Sequence, residues 1–332
     1  MGRRERSWSC VDGDRSQGAP ADDPLRRRPG HPVGGVTGPA GERFVWLERR
    51  SLLRGAAVGA LGALGAHGFA RRAAASTAQP PLRVALVPYL SARAMLTQFE
   101  PMREHLEATL ARPVEFYTAS SFTALLDSVR TGQQPFTLMP MHLARIAVAD
   151  WGHVLALRST RVSRVELVAP RSLKLADPES LRGRKVAVID PLSITTLMLR
   201  RWLQGQRLEG AVQLISVPTI SAAAVALGRG EVDAMVAAQG QTLDIPWLTP
   251  DVLVVVAVVG EVLSPGFVAL REVPAAALAA FRQAMLSYVA PAGRLGASGA
   301  QFVEGASRDL EPYEPYAAEV RLMLPEGARP RN

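Results

Sequence analysis

The sequence has 332 residues, 48% of them apolar and 20% charged, a composition typical of a folded protein and a length sufficient for about two domains. The net charge of +8 is uneven: residues 1–75 hold 13 Lys and Arg against 7 Asp and Glu, whereas the remaining chain holds 25 against 23. This distribution argues against a nucleic-acid-binding domain. The single cysteine, Cys10, excludes a disulfide framework and a Cys-rich metal site, and we expect no cofactor.

The N-terminal region has the pattern of an export signal. Residues 1–44 are rich in Gly, Pro, Arg and Asp, which predicts a disordered extension or a misassigned translation start. Residues 45–75 then place a basic flank before a weakly apolar, Ala- and Gly-rich stretch and a small-residue cleavage site near Ala75. The pair Arg49-Arg50, followed by Leu52-Leu53, is similar to a twin-arginine signal, which implies the twin-arginine export machinery and a periplasmic location. The alternative is an amphipathic N-terminal helix that lies on the domain.

The rest of the chain contains two similar halves. Arg83–Ser91 can be aligned with Lys185–Ser193, since each is a short β-branched run that leads into a Ser suited to cap a helix. Each half then continues as helix, strand, helix, strand, with the last strands at Phe136–Met139 and Asp233–Ala237. Alternating strands and helices predict an α/β fold with mainly parallel sheets. Two such units make two lobes, with a ligand cleft between them that helix N-termini line.

The lobe boundaries follow from the segments outside the second unit. Val162–Ala169 and Phe267–Val273 are the candidate crossings between lobes, so we expect lobe 1 at 80–165 plus 266–332 and lobe 2 at 166–265. Pro274–Ala290 has an apolar face and a proline at its start, which predicts an amphipathic helix packed on a lobe.

Four segments of the chain follow one another in an order and spacing that is informative when they are taken together. They are Leu82-Arg83-Val84-Ala85-Leu86-Val87-Pro88, Pro101-Met102-Arg103-Glu104-His105-Leu106-Glu107, Asp190-Pro191-Leu192-Ser193-Ile194-Thr195-Thr196 and Gly230-Glu231-Val232-Asp233-Ala234. Together they resemble the phosphate, phosphite and phosphonate-binding proteins of ABC transporters. The resemblance covers most of residues 82–320 and implies the fold of a type II periplasmic binding protein, with two lobes joined by a hinge.

The resemblance also implies part of the ligand site. In that family a Ser-Thr-Ser-Gly stretch at a helix N-terminus holds the phosphonate oxygens, and here the matching positions are Ser193, Thr195 and Thr196, with Ile194 between them. A family histidine is matched only by Ser221 or its neighbours. For the three hydroxyls the alternative is simple helix capping, which needs only one of them. The two departures predict that this chain is not a tight aminoalkylphosphonate binder.

Other candidate ligand contacts come from their positions after predicted strands. Tyr89 ends the first strand, where its ring could wall the cleft or belong to the core, and Gln239 follows the last strand of lobe 2. Ser120 and Ser121 precede a helix and could equally cap it. His142 follows the third strand and could face the cleft, cap a helix or lie at the surface.

The motif content argues against an enzyme. Within 76–332 there is no Gly-x-Ser-x-Gly, no Gly-rich phosphate loop with Lys and no paired His at metal spacing. We therefore expect an exported protein that captures a small oxyanion and delivers it to an ABC transporter permease. The alternative is a periplasmic protein with a non-phosphonate ligand that signals to a membrane sensor kinase, because both roles use a closing two-lobed clamp.

Overall fold

The structure is a computed structural model that describes residues 79–175, 177–239, 241, 251–291 and 301–325. The predicted N-terminal extension, the twin-arginine signal and the cleavage site near Ala75 all lie outside the described residues. Within the described part, the chain forms two sheets and seven α-helices.

The first sheet has six strands in the order β11-β4-β10-β3-β1-β2. Strand β1 pairs in parallel with β2 and β3, whereas β10 runs antiparallel to β3 and β4. Its strands are β1 (Leu82–Leu86), β2 (Val114–Thr118), β3 (Phe136–Met139), β4 (Val154–Ser159), β10 (Gly266–Ala269) and β11 (Phe302–Glu304). The helices of this lobe are α1 (Ala92–Leu110), α2 (Phe122–Arg130), α3 (Met141–Trp151), α6 (Ala275–Leu286) and α7 (Glu314–Met323).

The second sheet has five strands in the order β7-β6-β8-β5-β9. Strand β6 pairs in parallel with β7 and β8, and β5 runs antiparallel to β8 and β9. Its strands are β5 (Val162–Pro170), β6 (Lys185–Val188), β7 (Gln213–Ser216), β8 (Ala234–Ala238) and β9 (Leu253–Leu263), and its helices are α4 (Ile194–Gly205) and α5 (Ile220–Gly228).

The predicted repeat is confirmed, because β1-α1-β2-α2-β3 and β6-α4-β7-α5-β8 have the same order and the same central strand. Local signals explain the helix starts. Ser91, Ser121 and Thr219 each have extended backbone and accept a hydrogen bond from the backbone N–H three residues later. The carboxyl ends of both sets of parallel strands are therefore followed by helix N-termini, the arrangement that favours a ligand cleft.

The predicted boundary between the lobes at residue 165 falls inside a strand and is corrected by the structure. Val162–Pro170 belongs wholly to the second sheet, since it pairs with β9 from Val162 onward, and Gly266–Ala269 belongs to the first. The chain crosses between sheets at 160–161 and again at 264–265. The two crossings are thus short connectors. The runs that were expected to cross between the lobes instead form strands: Val162–Ala169 lies within β5 and Phe267–Ala269 within β10, because each pairs with strands that are distant in sequence.

The C-terminal segments complete the first lobe. Helix α6 begins after Pro274, as predicted, and the Phe281 ring stacks on Phe136 with 3.9 Å between centroids. Helix α7 is held against α3 by Arg321, which donates to Asp150 at 2.7 and 2.9 Å. None of the described helices combines the length and hydropathy that a membrane span requires.

Candidate functional site

A cavity of about 110 Å³ lies between the two sheets. Its walls come from both lobes and from the crossing residues Ser264 and Pro265. A space of this size suits a small solute, because pockets for drug-sized ligands typically have roughly 300–1,000 Å³. Among the predicted site residues, the structure brings together four at this cavity: Tyr89, Ser193, Thr195 and Gln239.

The N-terminus of α4 forms one wall of the cavity. Ser193 occupies the N-cap position, but its side chain makes no capping hydrogen bond; its Oγ instead lies 2.9 Å from Thr195 Oγ1. The first backbone N–H groups of an α-helix have no partner within the helix, and they carry the positive end of the helix dipole. This helix end therefore offers backbone donors and two hydroxyls to a negatively charged group.

The loop before α4 is held rigidly by Asp190. Its carboxylate accepts from Leu192 N at 2.8 Å, and its carbonyl accepts from Ser193 N at 3.0 Å. Thr196, the third predicted hydroxyl, is fully buried and does not line the cavity, and no partner is found for its Oγ1 within the described structure. The hydroxyl pair that faces the cavity is thus Ser193 and Thr195.

The opposite wall is built on β1 and α1 of the first lobe. Tyr89 follows β1, and its hydroxyl accepts a hydrogen bond from Gln98 Nε2 at 2.9 Å. Both side chains are buried, with 9% and 8% of their surface exposed, and both line the cavity. Tyr89 is therefore at the same time a wall of the cleft and part of the core, the two interpretations left open by the sequence.

The third group of polar residues lies near the crossings. Gln239 N donates to Arg164 O at 2.7 Å, and Gln241 Oε1 accepts from Ala238 N at 2.9 Å. Ser159 and Ser163 flank the first crossing, and both are buried at the cavity. Ser159 belongs to β4 of the first lobe, whereas Ser163 in β5 and the two glutamines after β8 belong to the second lobe.

Three predicted serines do not line the cavity. Ser121 caps α2 by accepting from Ala124 N at 3.1 Å, and Ser120 is exposed beside it. Ser221 is exposed in the first turn of α5, where Thr219 provides the cap instead. Helix capping, the alternative interpretation, therefore accounts for Ser121. Ser120 and Ser221 do not contribute to the cavity wall.

His142 joins the two lobes without lining the cavity. It is fully buried in the first turn of α3, and its Nε2 donates to Leu192 O in the second lobe at 2.8 Å. Burial lowers the pKa of His142 to about 4, although the bond to Leu192 opposes this shift. The imidazole is therefore neutral at pH 7 and serves as a contact between the lobes.

Sequence reasoning missed Gln98, Ser159, Ser163 and Tyr288 of the cavity wall. One signal was available for Gln98, which is a polar residue on the apolar face formed by Met95, Phe99 and Met102. The serines and Tyr288 reach the cavity through the packing of one lobe on the other, for which the local pattern gives no sign.

No charged side chain is among the cavity-lining residues that the structure describes. The polar atoms come from hydroxyls, side-chain amides and the α4 backbone, and the remaining wall is apolar. Also within the described residues, no group of three His, Cys, Asp or Glu side chains could hold a metal ion. The described part of the wall therefore offers neutral hydrogen-bonding groups.

A family model described as "ABC transporter, phosphonate, periplasmic substrate-binding protein" matches residues 84–310. The chain belongs to this family. The family consists of substrate-binding transport proteins and is not an enzyme family. No match is found among curated protein sequences.

Solved structures confirm the two-lobed fold of periplasmic binding proteins. PhnD1 from Prochlorococcus marinus, solved in complex with methylphosphonate, has a TM-score of 0.61 at 12% identity, covering 72% of this chain and 97% of its own. A binding protein component of an ABC phosphonate transporter from Pseudomonas aeruginosa has a TM-score of 0.59 at 14% identity, covering 73% and 89%. A Xanthomonas citri protein bound to ATP has a TM-score of 0.55 at 14% identity, covering 74% and 99%. These identities support the fold and not a particular ligand.

Proposed function

We propose that this protein captures a small oxyanion of the phosphate, phosphite or phosphonate type between its lobes and delivers it to an ABC transporter permease. The observation that carries the proposal is the α4 N-terminus at the interlobe cavity, where Ser193 leaves the helix end uncapped and pairs with Thr195. Family membership supports the link to a transporter. No observation in the structure favours the sensory role.

Capture follows from the placement of donors on both walls. The oxyanion lies at the α4 N-terminus, where backbone N–H groups and the hydroxyls of Ser193 and Thr195 replace its water. Tyr89 and Gln98 approach from the first lobe. A ligand that contacts both walls stabilises the closed arrangement, because these contacts exist together only when the lobes are closed.

The test is a calorimetric titration of the protein with phosphate, phosphite, methylphosphonate, sulfate and small carboxylates. At least one tetrahedral oxyanion should bind, and Ser193→Ala with Thr195→Val should weaken that binding about tenfold to a hundredfold, the effect of two lost hydrogen bonds. The matched control, Ser172→Ala with Thr123→Val, removes two hydroxyls from exposed positions and should leave affinity unchanged. Binding of neutral or cationic solutes only would refute the proposal.

We also propose that residues 45–75 direct export through the twin-arginine machinery, with cleavage near Ala75 and the mature protein in the periplasm. The support is the order of Arg49-Arg50, the weakly apolar stretch and the small-residue site. Arg49→Lys with Arg50→Lys should retain the precursor inside the cell, as measured by fractionation and immunoblotting. Arg71→Lys with Arg72→Lys is the matched control and should still be exported. Normal export of the first pair of substitutions would rule out the twin-arginine route.

A further inference from the structure

His142 connects the first turn of α3 to the loop before α4. Its ring is fully buried, and its Nε2 donates to Leu192 O of the second lobe at 2.8 Å. Because a carbonyl oxygen only accepts, the proton of the neutral imidazole lies on Nε2. Nδ1 is then an acceptor, and within the described structure it has no hydrogen-bond partner. One side of the ring is therefore satisfied by the opposite lobe, and the other side by no described group.

His153 provides the contrast within the first lobe. Its Nε2 donates to Val129 O at 3.2 Å, and its Nδ1 accepts from Arg271 N at 3.2 Å. Both ring nitrogens are thus paired inside one lobe, which is the usual condition of a buried histidine. An unpaired buried nitrogen disfavours the folded state, so packing alone does not explain the placement of His142.

The loop that His142 contacts leads into the α4 N-terminus at the cavity. The side chains of Ile189 and Leu192 belong to the same apolar core as the first-lobe strands. Asp190 fixes the next step, because its carboxylate accepts from Leu192 N and its carbonyl accepts from Ser193 N. Since Leu192 and Ser193 are neighbours in this turn, a displacement of Leu192 O from His142 also displaces the donors at the α4 N-terminus.

No described charged group holds the imidazole in either protonation state. Burial lowers the pKa of His142 to about 4, and only the bond to Leu192 O opposes this shift. In the contacted loop the Asp190 carboxylate accepts from Leu192 N, and Arg308 and Glu311, before α7, are exposed. The other charged or titratable residues on the elements packed against α3 have partners of their own: Asp127 with Arg130, Arg158 with Asp309, Arg145 with Glu314, Arg321 with Asp150, Glu319 with Arg201, Tyr313 with Leu263 N and Tyr316 with Arg201.

Protonation changes what the ring requires. An imidazolium donates from both nitrogens, and the proton on Nδ1 has no described acceptor while the lobes are together. When the lobes separate, water reaches the ring and hydrates its charged form. The ring therefore binds a proton more tightly once Leu192 O has left, and a falling pH favours separated lobes.

We propose that His142 is a positioning residue for ligand capture, which holds the α4 N-terminus against the first lobe when it is neutral and releases it when it is protonated. The proposal rests on the proposed function, because the α4 N-terminus is the assigned oxyanion site. His142 acts through Leu192 O and the turn at Asp190, not through contact with the ligand. Capture is then weaker in acid because of a group on the protein.

The first experiment measures the separation of the lobes without ligand. Spin labels at Thr123→Cys and Val225→Cys, in a Cys10→Ser background, place one reporter on an exposed position of each lobe. Between pH 7.5 and pH 5.0 the fraction at the longer distance should rise in the protein with His142. It should stay unchanged in His142→Gln, which still offers a donor but does not titrate.

The second experiment measures capture by calorimetry with phosphite and methylphosphonate at both pH values. These anions take up protons themselves, so the compared quantity is the ratio of the dissociation constants of variant and wild type at one pH. Acidification should weaken binding about tenfold more in the wild type than in His142→Gln. The matched control is His153→Gln, which replaces a buried histidine whose described hydrogen bonds lie within the first lobe and should follow the wild type in both experiments.

A further variant separates positioning from packing. His142→Leu keeps an apolar side chain in the space but leaves Leu192 O without its donor, so at pH 7.5 it should weaken binding about tenfold, whereas His142→Gln should retain wild-type affinity. Retained affinity in both variants would overturn the proposal. If neither variant folds, as judged by circular dichroism, NMR of the wild-type imidazole decides: saturating phosphite should move its titration to lower pH, because linkage is reciprocal, and an unchanged titration overturns the proposal.

The outcomes separate this proposal from the proposed function. If no oxyanion binds at pH 7.5, the proposed function fails, and the spin labels alone decide whether His142 controls the lobes. If an anion binds and His142→Gln loses affinity in acid as steeply as the wild type, the proposed function stands and the positioning role is overturned. Equal distance distributions with His142 and with His142→Gln at pH 5.0 overturn it as well.

Discussion

At the residue scale, the site depends on a serine that occupies a capping position without capping. The side chains of Ser91, Ser121 and Thr219 satisfy the first turns of their own helices, whereas Ser193 turns toward Thr195. A capping bond stabilises a helix by about 1 kcal/mol, so its omission at α4 has a cost. An oxyanion bound at this helix end would offset that cost, because it accepts from the same N–H groups.

His142 gives a residue-level prediction of pH dependence. Its pKa is about 4 in the folded protein, well below the ordinary value of 6.5, so the unfolded chain takes up the proton first as the pH falls. The folded state should therefore lose stability between pH 6.5 and pH 4, by roughly 3 kcal/mol from this residue at the lower end. Above pH 6.5 both states are neutral here, and the contribution is constant.

Urea unfolding of the wild type and of His142→Gln at pH 7 and pH 4.5 checks this prediction. Glutamine can still donate toward Leu192 O but does not titrate, so the variant should lose less stability on acidification than the wild type. Equal losses in the two proteins would show that His142 is not held neutral by burial.

At the scale of secondary-structure elements, β10 fits into the first sheet only because it begins with glycine. A Cβ added at Gly266 would lie 2.7 Å from Leu157 O and 3.2 Å from Met141 Sδ, and the first of these is a backbone atom that cannot turn away. This close approach brings β10, β4 and the start of α3 together directly after the crossing at 264–265. A side chain here would therefore separate strands beside the hinge.

We predict that Gly266→Ala destabilises the protein by about 1–3 kcal/mol, the usual cost of overpacking. Gly205→Ala is the matched control, because Gly205 ends α4 with no atom within 4 Å of the added Cβ. That change should be neutral or stabilising by up to about 1 kcal/mol. Equilibrium urea unfolding measures both, and similar stabilities for the two variants would contradict the prediction.

The order of the elements was predictable from sequence because it depends on local patterns. The β-branched runs and the serines after them indicate the repeated strand and helix units, and Tyr89 and Ser193 could be placed at the cleft because they follow strand ends. The lobe boundary was not predictable at residue level, since β5 is defined by its pairing with the distant β9. Ser221 was misplaced for a similar reason: the local motif gives the start of a helix but not the direction that each first-turn side chain takes.

At the scale of the whole molecule, the lobes are in contact around the cavity. His142 Nε2 donates to Leu192 O, and Ile220 N donates to Tyr89 O at 3.3 Å. Farther from the cavity, Arg201 of α4 donates to Pro315 O at 2.7 Å and pairs with Glu319 of α7. These few polar contacts, together with an apolar core that continues from the first lobe to α5, hold the two lobes together in this arrangement. A bound ligand that touches both walls adds to the same balance.

We therefore predict that the ligand shifts the protein toward this closed arrangement. Spin labels at Thr123→Cys on α2 and Val225→Cys on α5, in a Cys10→Ser background, place one reporter on an exposed position of each lobe without a competing thiol. Pulsed electron resonance should give a broad distance distribution without ligand and a narrower, shorter one at saturating oxyanion. Arg201→Ala removes a contact between α4 and α7 that holds the lobes in this arrangement, so it should raise the open population and weaken apparent affinity about tenfold, since apparent affinity scales with the competent fraction. Arg229→Ala breaks an exposed ion pair with Glu231 inside the second lobe and should change neither the open population nor the apparent affinity.

A distance distribution between the two spin labels that is unchanged by ligand, or that shifts to longer distances, would show that binding does not act through closure of the lobes.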